Sequence, residues 1–159
     1  MRDCVKNARK SRLKFNLQNS MKVFITEKRH SNKSELSMNQ NEHAEQVNLI
    51  QWWSLQCRRF GIYEQLLFAI PNGGQRNIIT AKRMKDEGVR SGIPDLFLAV
   101  PRGNFHGLFI EMKKPQGGVV SDNQKACMEM LSKNDYCVTV CRGFVDAQEA
   151  IKGYLSLVA

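Results

Sequence analysis

Gly88-Val89-Arg90-Ser91-Gly92-Ile93-Pro94-Asp95-Leu96, and further on His106-Gly107-Leu108-Phe109-Ile110-Glu111-Met112-Lys113, decide how this chain is read. Pro94 and Pro101 bound an apolar run, Asp95 to Val100, that predicts a strand. Leu108 to Lys113 predicts a second strand, and Arg102-Gly103-Asn104 starts the turn between them. Strand side chains alternate faces, so Glu111 and Lys113 project to one side and Met112 to the other. A hairpin of the two strands brings Asp95 beside Glu111, although 16 positions separate them. Two carboxylates and an ammonium then converge at one edge of a sheet. Glu111 lies among Leu108, Phe109, Ile110 and Met112, where a buried acid needs a metal ion or Lys113 as partner.

Hard oxygen ligands of this kind suit Mg²⁺ or Mn²⁺, which keep several waters and bridge to substrate phosphates. Such an ion lowers the pKa of a bound water and shields charge on a phosphorus-bound oxygen. A neighbouring lysine orients the water and stabilises the transition state. These are the parts of a phosphodiester hydrolase. The same three residues also make a plain ion pair on a sheet surface, and the bare pattern is short and common.

Upstream, Val47, Ile50, Trp53, Ser54 and Cys57 recur at helical spacing from Glu42 onward, and Gly61 ends that helix. Leu66 to Ile70 reads as a buried strand, stopped by the turn Pro71-Asn72-Gly73-Gly74. Asn77 to Glu87 reads as a second helix. Downstream, Ser121 and Gln124 have the spacing of a capping box and open a third helix. Cys137 to Cys141 predicts a strand whose cysteines are core residues, and Asp146 to Leu157 a closing helix. The predicted order is α, β, α, β, β, α, β, α, an α/β sandwich around a small mixed sheet.

The chain has 159 residues and a formal net charge of +9, a balance that points to polyanions and most simply to nucleic acid. Residues 1–40 hold 10 Lys and Arg against 3 acids, whereas residues 41–159 hold 14 against 12. The division is therefore a basic arm over 1–40, read as mobile and able to touch phosphate backbones, and a compact domain over 41–159. An extension without function is the other account of the arm. Within the arm, Val23-Phe24-Ile25 is its only apolar cluster, a short strand at most. The 5 cysteines form no CxxC pair, which argues against a disulfide scaffold or zinc ribbon and suits the cytoplasm. No apolar run approaches the roughly 20 residues of a membrane helix, and no secretory signal is evident.

Taken together, the motifs resemble those of the stand-alone virus-type replication-repair nuclease (VRR-NUC) domains. These form a branch of the PD-(D/E)xK nuclease superfamily with a restriction-endonuclease-like core. The matching residues are Glu42-His43-Ala44-Glu45-Gln46, Pro71-Asn72-Gly73-Gly74 with Arg76, and the two stretches quoted first. Gly117, Ser121 and Gln124 follow, with Tyr136 and Tyr154 in the tail, so that residues 40–156 are covered. The resemblance implies that Asp95 and Glu111 bind the metal, helped by the Met112 carbonyl, and that Lys113 acts on the attacking water. It implies a further acid from the first helix, with Glu45 preferred and Glu42 the alternative. It also places Gln124 near the site.

Asn72, Gly73 and Arg76 form a loop suited to a phosphate, or an ordinary turn. Lys82, Arg83, Lys85, Arg90 and Lys114 line a nucleic-acid groove or a solvated face. His106 reads as a turn residue. Of the adjacent Trp52 and Trp53, one belongs to the core. The resemblance implies a metal-dependent DNA endonuclease, selective for branched or four-way-junction DNA, acting as a homodimer in phage replication, recombination or repair. No organic cofactor is expected. The other functions considered are a non-catalytic nucleic-acid-binding module and a nuclease for RNA or single-stranded ends.

Overall fold

The computed structural model of the chain describes residues 42–71 and 78–158. The basic arm and the loop residues Asn72, Gly73 and Arg76 lie outside them. Helix α1 (Glu42–Gln56) runs into a 3-10 turn at Cys57–Phe60. Gly61 stops it with φ 68°, a left-handed value that costs glycine little. Strand β1 (Leu67–Ala69) and helix α2 (Ile78–Asp86) follow. Then come β2 (Leu96–Leu98), β3 (Leu108–Lys113), α3 (Asp122–Lys133), β4 (Cys137–Arg142) and α4 (Phe144–Leu155). The order of helices and strands is the predicted one.

Several boundaries differ from expectation, two of them informatively. The strand predicted over 95–100 shortens to Leu96–Leu98, the three residues in register with both β1 and β3. The last helix starts at Phe144 rather than Asp146. Gly143, at φ 86°, turns the chain directly out of β4, and the Phe144 N–H is received by a side chain from α1.

The sheet order is β1-β2-β3-β4. The first two pairings are antiparallel, and β3–β4 is parallel, which requires the crossover that α3 supplies. Leu96, Leu98, Leu108, Ile110 and Met112 are buried on one face. Leu49 and Trp53 of α1, spaced one helical turn apart, join the same core with Ala147, Ile151 and Tyr154 of α4. The two large polar tips in this core are satisfied. Trp53 Nε1 donates to the Glu64 carbonyl at 2.9 Å, and the Tyr154 hydroxyl to the Val100 carbonyl at 2.7 Å.

Trp53 is thus the core tryptophan. Trp52 is half-buried against Phe60 and Phe144, with the Lys152 ammonium 5.5 Å from its ring centre. Cys137 and Cys141 take core-side register positions beside Leu108 and Met112 and pack there.

The opposite face carries the chemistry. Phe68, Phe97 and Phe109 align in register across β1, β2 and β3. Two residues further along the same face stand Asp95, from the approach to β2, and Glu111. Helix α3 lies over this end of the sheet, for its Gln124 side chain reaches Glu111.

Candidate active site

Asp95 and Glu111 meet because the β2–β3 register demands it. Leu96 pairs with Ile110, so one step further the antiparallel ladder sets Asp95 opposite Glu111. The Asp95 side chain continues the ladder where the backbone stops, since Oδ2 accepts the Met112 N–H at 2.8 Å. Met112 therefore enters the site through its N–H, while its side chain points into the core as the alternation predicts.

Glu111 is 0% exposed and Lys113 7%. The Lys113 ammonium donates to Glu111 Oε1 at 2.6 Å. Gln124 Nε2 donates to the same oxygen. The capping box aims that amide. Gln124 Oε1 accepts the Ser121 N–H at 2.9 Å while Ser121 Oγ accepts the Gln124 N–H at 3.3 Å, which leaves the NH₂ group turned toward β3. Gly92 lets the chain before Asp95 come close. At φ 88°, a Cβ there would stand 2.6 Å from the Asn123 carbonyl oxygen, in the first turn of α3.

Both donors crowd one oxygen of Glu111. The other, Oε2, is buried and has no hydrogen-bond partner among the described residues. A bare carboxylate oxygen in a closed interior is costly unless something cationic meets it. The electrostatics agree. Burial pushes the Glu111 carboxyl above its ordinary value, the charges of Asp95 and Glu42 add to that, and Lys113 offsets only part. Burial by itself would lower the Lys113 ammonium. The hydrogen bond and charge of Glu111, with Glu42 and Asp95, outweigh it, so its pKa is raised. The carboxyl groups of Asp95 and Glu111, with Glu42 in electrostatic reach of Glu111 and Lys113, make an acid-rich environment around one ammonium.

The two acids of the first helix are sent to different places. Glu45 is buried, and its Oε2 accepts the Phe144 N–H at 2.5 Å. It caps α4, whose own N-cap is Gly143 and offers no side chain. Glu42 begins α1, is half-buried, and is the first-helix acid whose charge reaches both Glu111 and Lys113. Residues three apart share a helix side, so spacing alone did not separate them.

Among the described residues, no cluster of three or more His, Cys, Asp or Glu side chains forms a ready metal cage. An ion held by one or two carboxylates, with waters and a substrate phosphate completing its shell, needs none. The donor set is all oxygen and suits a hard cation.

The basic residues named from sequence are more scattered. Lys82, Lys85 and Lys114 are exposed. Arg83 is also exposed but pairs with Glu87 at 2.7 Å. Arg90 Nη1 donates to the Lys85 carbonyl at 3.1 Å, near the end of α2. His106 sits in the turn with its ring against Tyr136. Sequence reasoning missed Gly118 and Arg142. A Cβ on Gly118 would lie 2.8 Å from Lys113 Cβ, so its backbone rests on the lysine stem. Arg142 holds that loop, with Nη1 donating to the Gly118 carbonyl at 3.0 Å. The Gly117-Gly118 pair was a visible signal of close approach, whereas Arg142 is placed only by the parallel register.

A four-stranded mixed sheet between helices, with Asp95, Glu111 and Lys113 gathered at one end, defines a restriction-endonuclease-like nuclease core. The profile of the VRR-NUC domain matches residues 30–145, and the chain belongs to that nuclease family. A solved VRR_NUC domain protein is similar to it, at 28% identity and a TM-score of 0.63, over 79% of this chain and 93% of that one. Comparison with the curated proteins gives no match. Among the described residues, no helix is long and apolar enough to cross a membrane.

Proposed function

We propose that the protein is a Mg²⁺- or Mn²⁺-dependent DNA endonuclease. The observation that carries this reading is the buried, unpartnered Glu111 Oε2 beside Asp95, with a lysine committed to the other oxygen. Asp95 and Glu111 would hold the ion, with Glu42 on its approach and the Met112 carbonyl as a further oxygen donor. When bound, the ion supplies Lewis acidity and shields charge on the phosphorus-bound oxygens. Lys113 donates a hydrogen bond to the attacking water and faces the charge that grows at phosphorus. Gln124 and Lys113 together hold Glu111 Oε1, which fixes the direction of Oε2. The water oxygen bonds to phosphorus and gives up a proton to solvent, one ester P–O bond breaks, and the departing oxygen takes a proton from solvent.

Selection by DNA shape fits a compact domain with little surface for reading bases. A homodimer would present two such sites to a branched substrate. Phage replication, recombination or repair is the setting that the family suggests. The four cysteines among the described residues are free, which suits a reducing cytoplasm.

The test uses labelled single-stranded, duplex, flapped and four-way-junction DNA with Mg²⁺, Mn²⁺ or EDTA, and thermal melting under the same conditions. Either metal is expected to raise the melting temperature and start cutting, and EDTA to stop both. Cutting that survives EDTA, or binding with no cutting in either metal, would sink the metal-dependent reading.

The first helix gives a second test. Glu42→Gln is expected to weaken both Mn²⁺ affinity and cutting by about 10–100-fold, with little change in melting. Glu45→Ala should instead lower stability by about 1–2 kcal/mol, the usual cost of a lost helix cap, and Glu45→Gln should restore it. Calorimetric Mn²⁺ titration of the three variants reads the difference. Loss of metal binding in Glu45→Gln, with Glu42→Gln unaffected, would reverse the two roles.

A further inference from the structure

The carboxylates that suit a cation also repel a phosphodiester. Lys113 cannot answer that alone, because its ammonium is held 2.6 Å from Glu111. The sheet sets a second cation beside it. In the parallel β3–β4 register Lys113 faces Arg142, so both side chains leave the same face from strands about 4.8 Å apart.

Arg142 is exposed, and its side chain makes one hydrogen bond among the described residues, from Nη1 to the Gly118 carbonyl. Asp146 does not neutralise it, since that carboxylate accepts the Arg142 backbone N–H at 3.1 Å and forms no ion pair with the guanidinium. Roughly four of the five guanidinium N–H donors therefore remain without an acceptor among the described residues. The bond to Gly118 also anchors the fork. Gly118 lies against the Lys113 stem, so the tether holds the guanidinium on the loop that covers that stem. A planar, permanently charged fork with a spare edge matches two oxygens of one phosphate.

We propose that Arg142 is a phosphate-contact residue, gripping a backbone phosphate of bound DNA beside Lys113. This deepens the nuclease reading of the same site and rests on it.

Binding of junction and duplex DNA would be measured in Ca²⁺ over a range of salt, for the wild type, Arg142→Gln and Arg142→Lys. Arg142→Gln is expected to weaken binding about tenfold and to reduce the slope of log affinity against log salt by about one. Arg142→Lys should recover the slope but only part of the affinity. A scan with single neutral methylphosphonates then locates the contact. At one position the substitution should weaken the wild type and leave Arg142→Gln unchanged.

An unchanged salt slope, with every methylphosphonate costing wild type and Arg142→Gln alike, would overturn the proposal. Arg142 would then only anchor the Gly118 loop, and a lower melting temperature would report it. Failure of the nuclease reading is recognised separately, in the wild type alone. If that protein neither binds nor cuts DNA in any metal, the phosphate contact falls with it.

Discussion

Glu111→Gln is expected to abolish cutting while leaving the metal-free protein at least as stable as the wild type. The amide keeps an oxygen for Lys113 and Gln124 but removes the buried charge. Loss of the carboxylate proposed to bind the metal should cost about a thousandfold in rate, roughly 4 kcal/mol of transition-state stabilisation. Stability follows the opposite course. Glu111 titrates at an ordinary carboxylate value near 4.5 in the unfolded chain and higher in the folded one, chiefly because burial disfavours its charge. The folded protein therefore binds more protons than the unfolded chain between those two values. Stability from this group is intact below about 4.5 and is lost as pH rises toward the folded value. Melting in EDTA should show that decline in the wild type and a flatter profile in Glu111→Gln. A variant that melts lower than the wild type at neutral pH would mean that Glu111 holds the fold together.

Lys113→Met is expected to damage both properties. Cutting should fall as far as in Glu111→Gln, because the group proposed to face the water and phosphorus is gone. Stability should fall by about 3–5 kcal/mol, the usual result of removing one partner from a buried pair. With the ammonium absent, Glu111 keeps only the Gln124 amide among the described residues. The double variant Glu111→Gln, Lys113→Met should recover most of that stability and none of the activity. The difference between the summed single effects and the double effect isolates the pair. Additive losses would show that the two side chains contribute independently, against the contact between them.

The two predictions rest on features of unequal legibility in the sequence. Asp95 and Glu111 were legible because strand alternation and two bounding prolines leave few ways to pair Asp95–Val100 with Leu108–Lys113. The capping box was legible for the same reason, since Ser121 and Gln124 interact over one helical turn. The separate destinations of Glu42 and Glu45 were not. Both face the same side of α1, and only the arrival of the α4 N-terminus, 99 residues from Glu45, divides their tasks. Arg142 was hidden by the same kind of distance. Nothing local in Cys137–Arg142 says which residue of another strand stands beside it, because a parallel register is set by the crossover and the core. The start of α4 at Phe144 was missed because its cap comes from α1 rather than from its own neighbourhood.

That long reach from Glu45 to Phe144 has a bearing on how the protein is made. A chain emerging from a ribosome carries Asp95, Glu111 and Lys113 well before it carries β4 and α4. Until Phe144 arrives, Glu45 has no N–H to accept, α1 has no α4 to pack on, and β3 lacks its parallel neighbour. Contacts between segments far apart in the chain form late, since their loop must close first. The residues around Asp95, Glu111 and Lys113 gain their full packing only once β4 and α4 have been delivered.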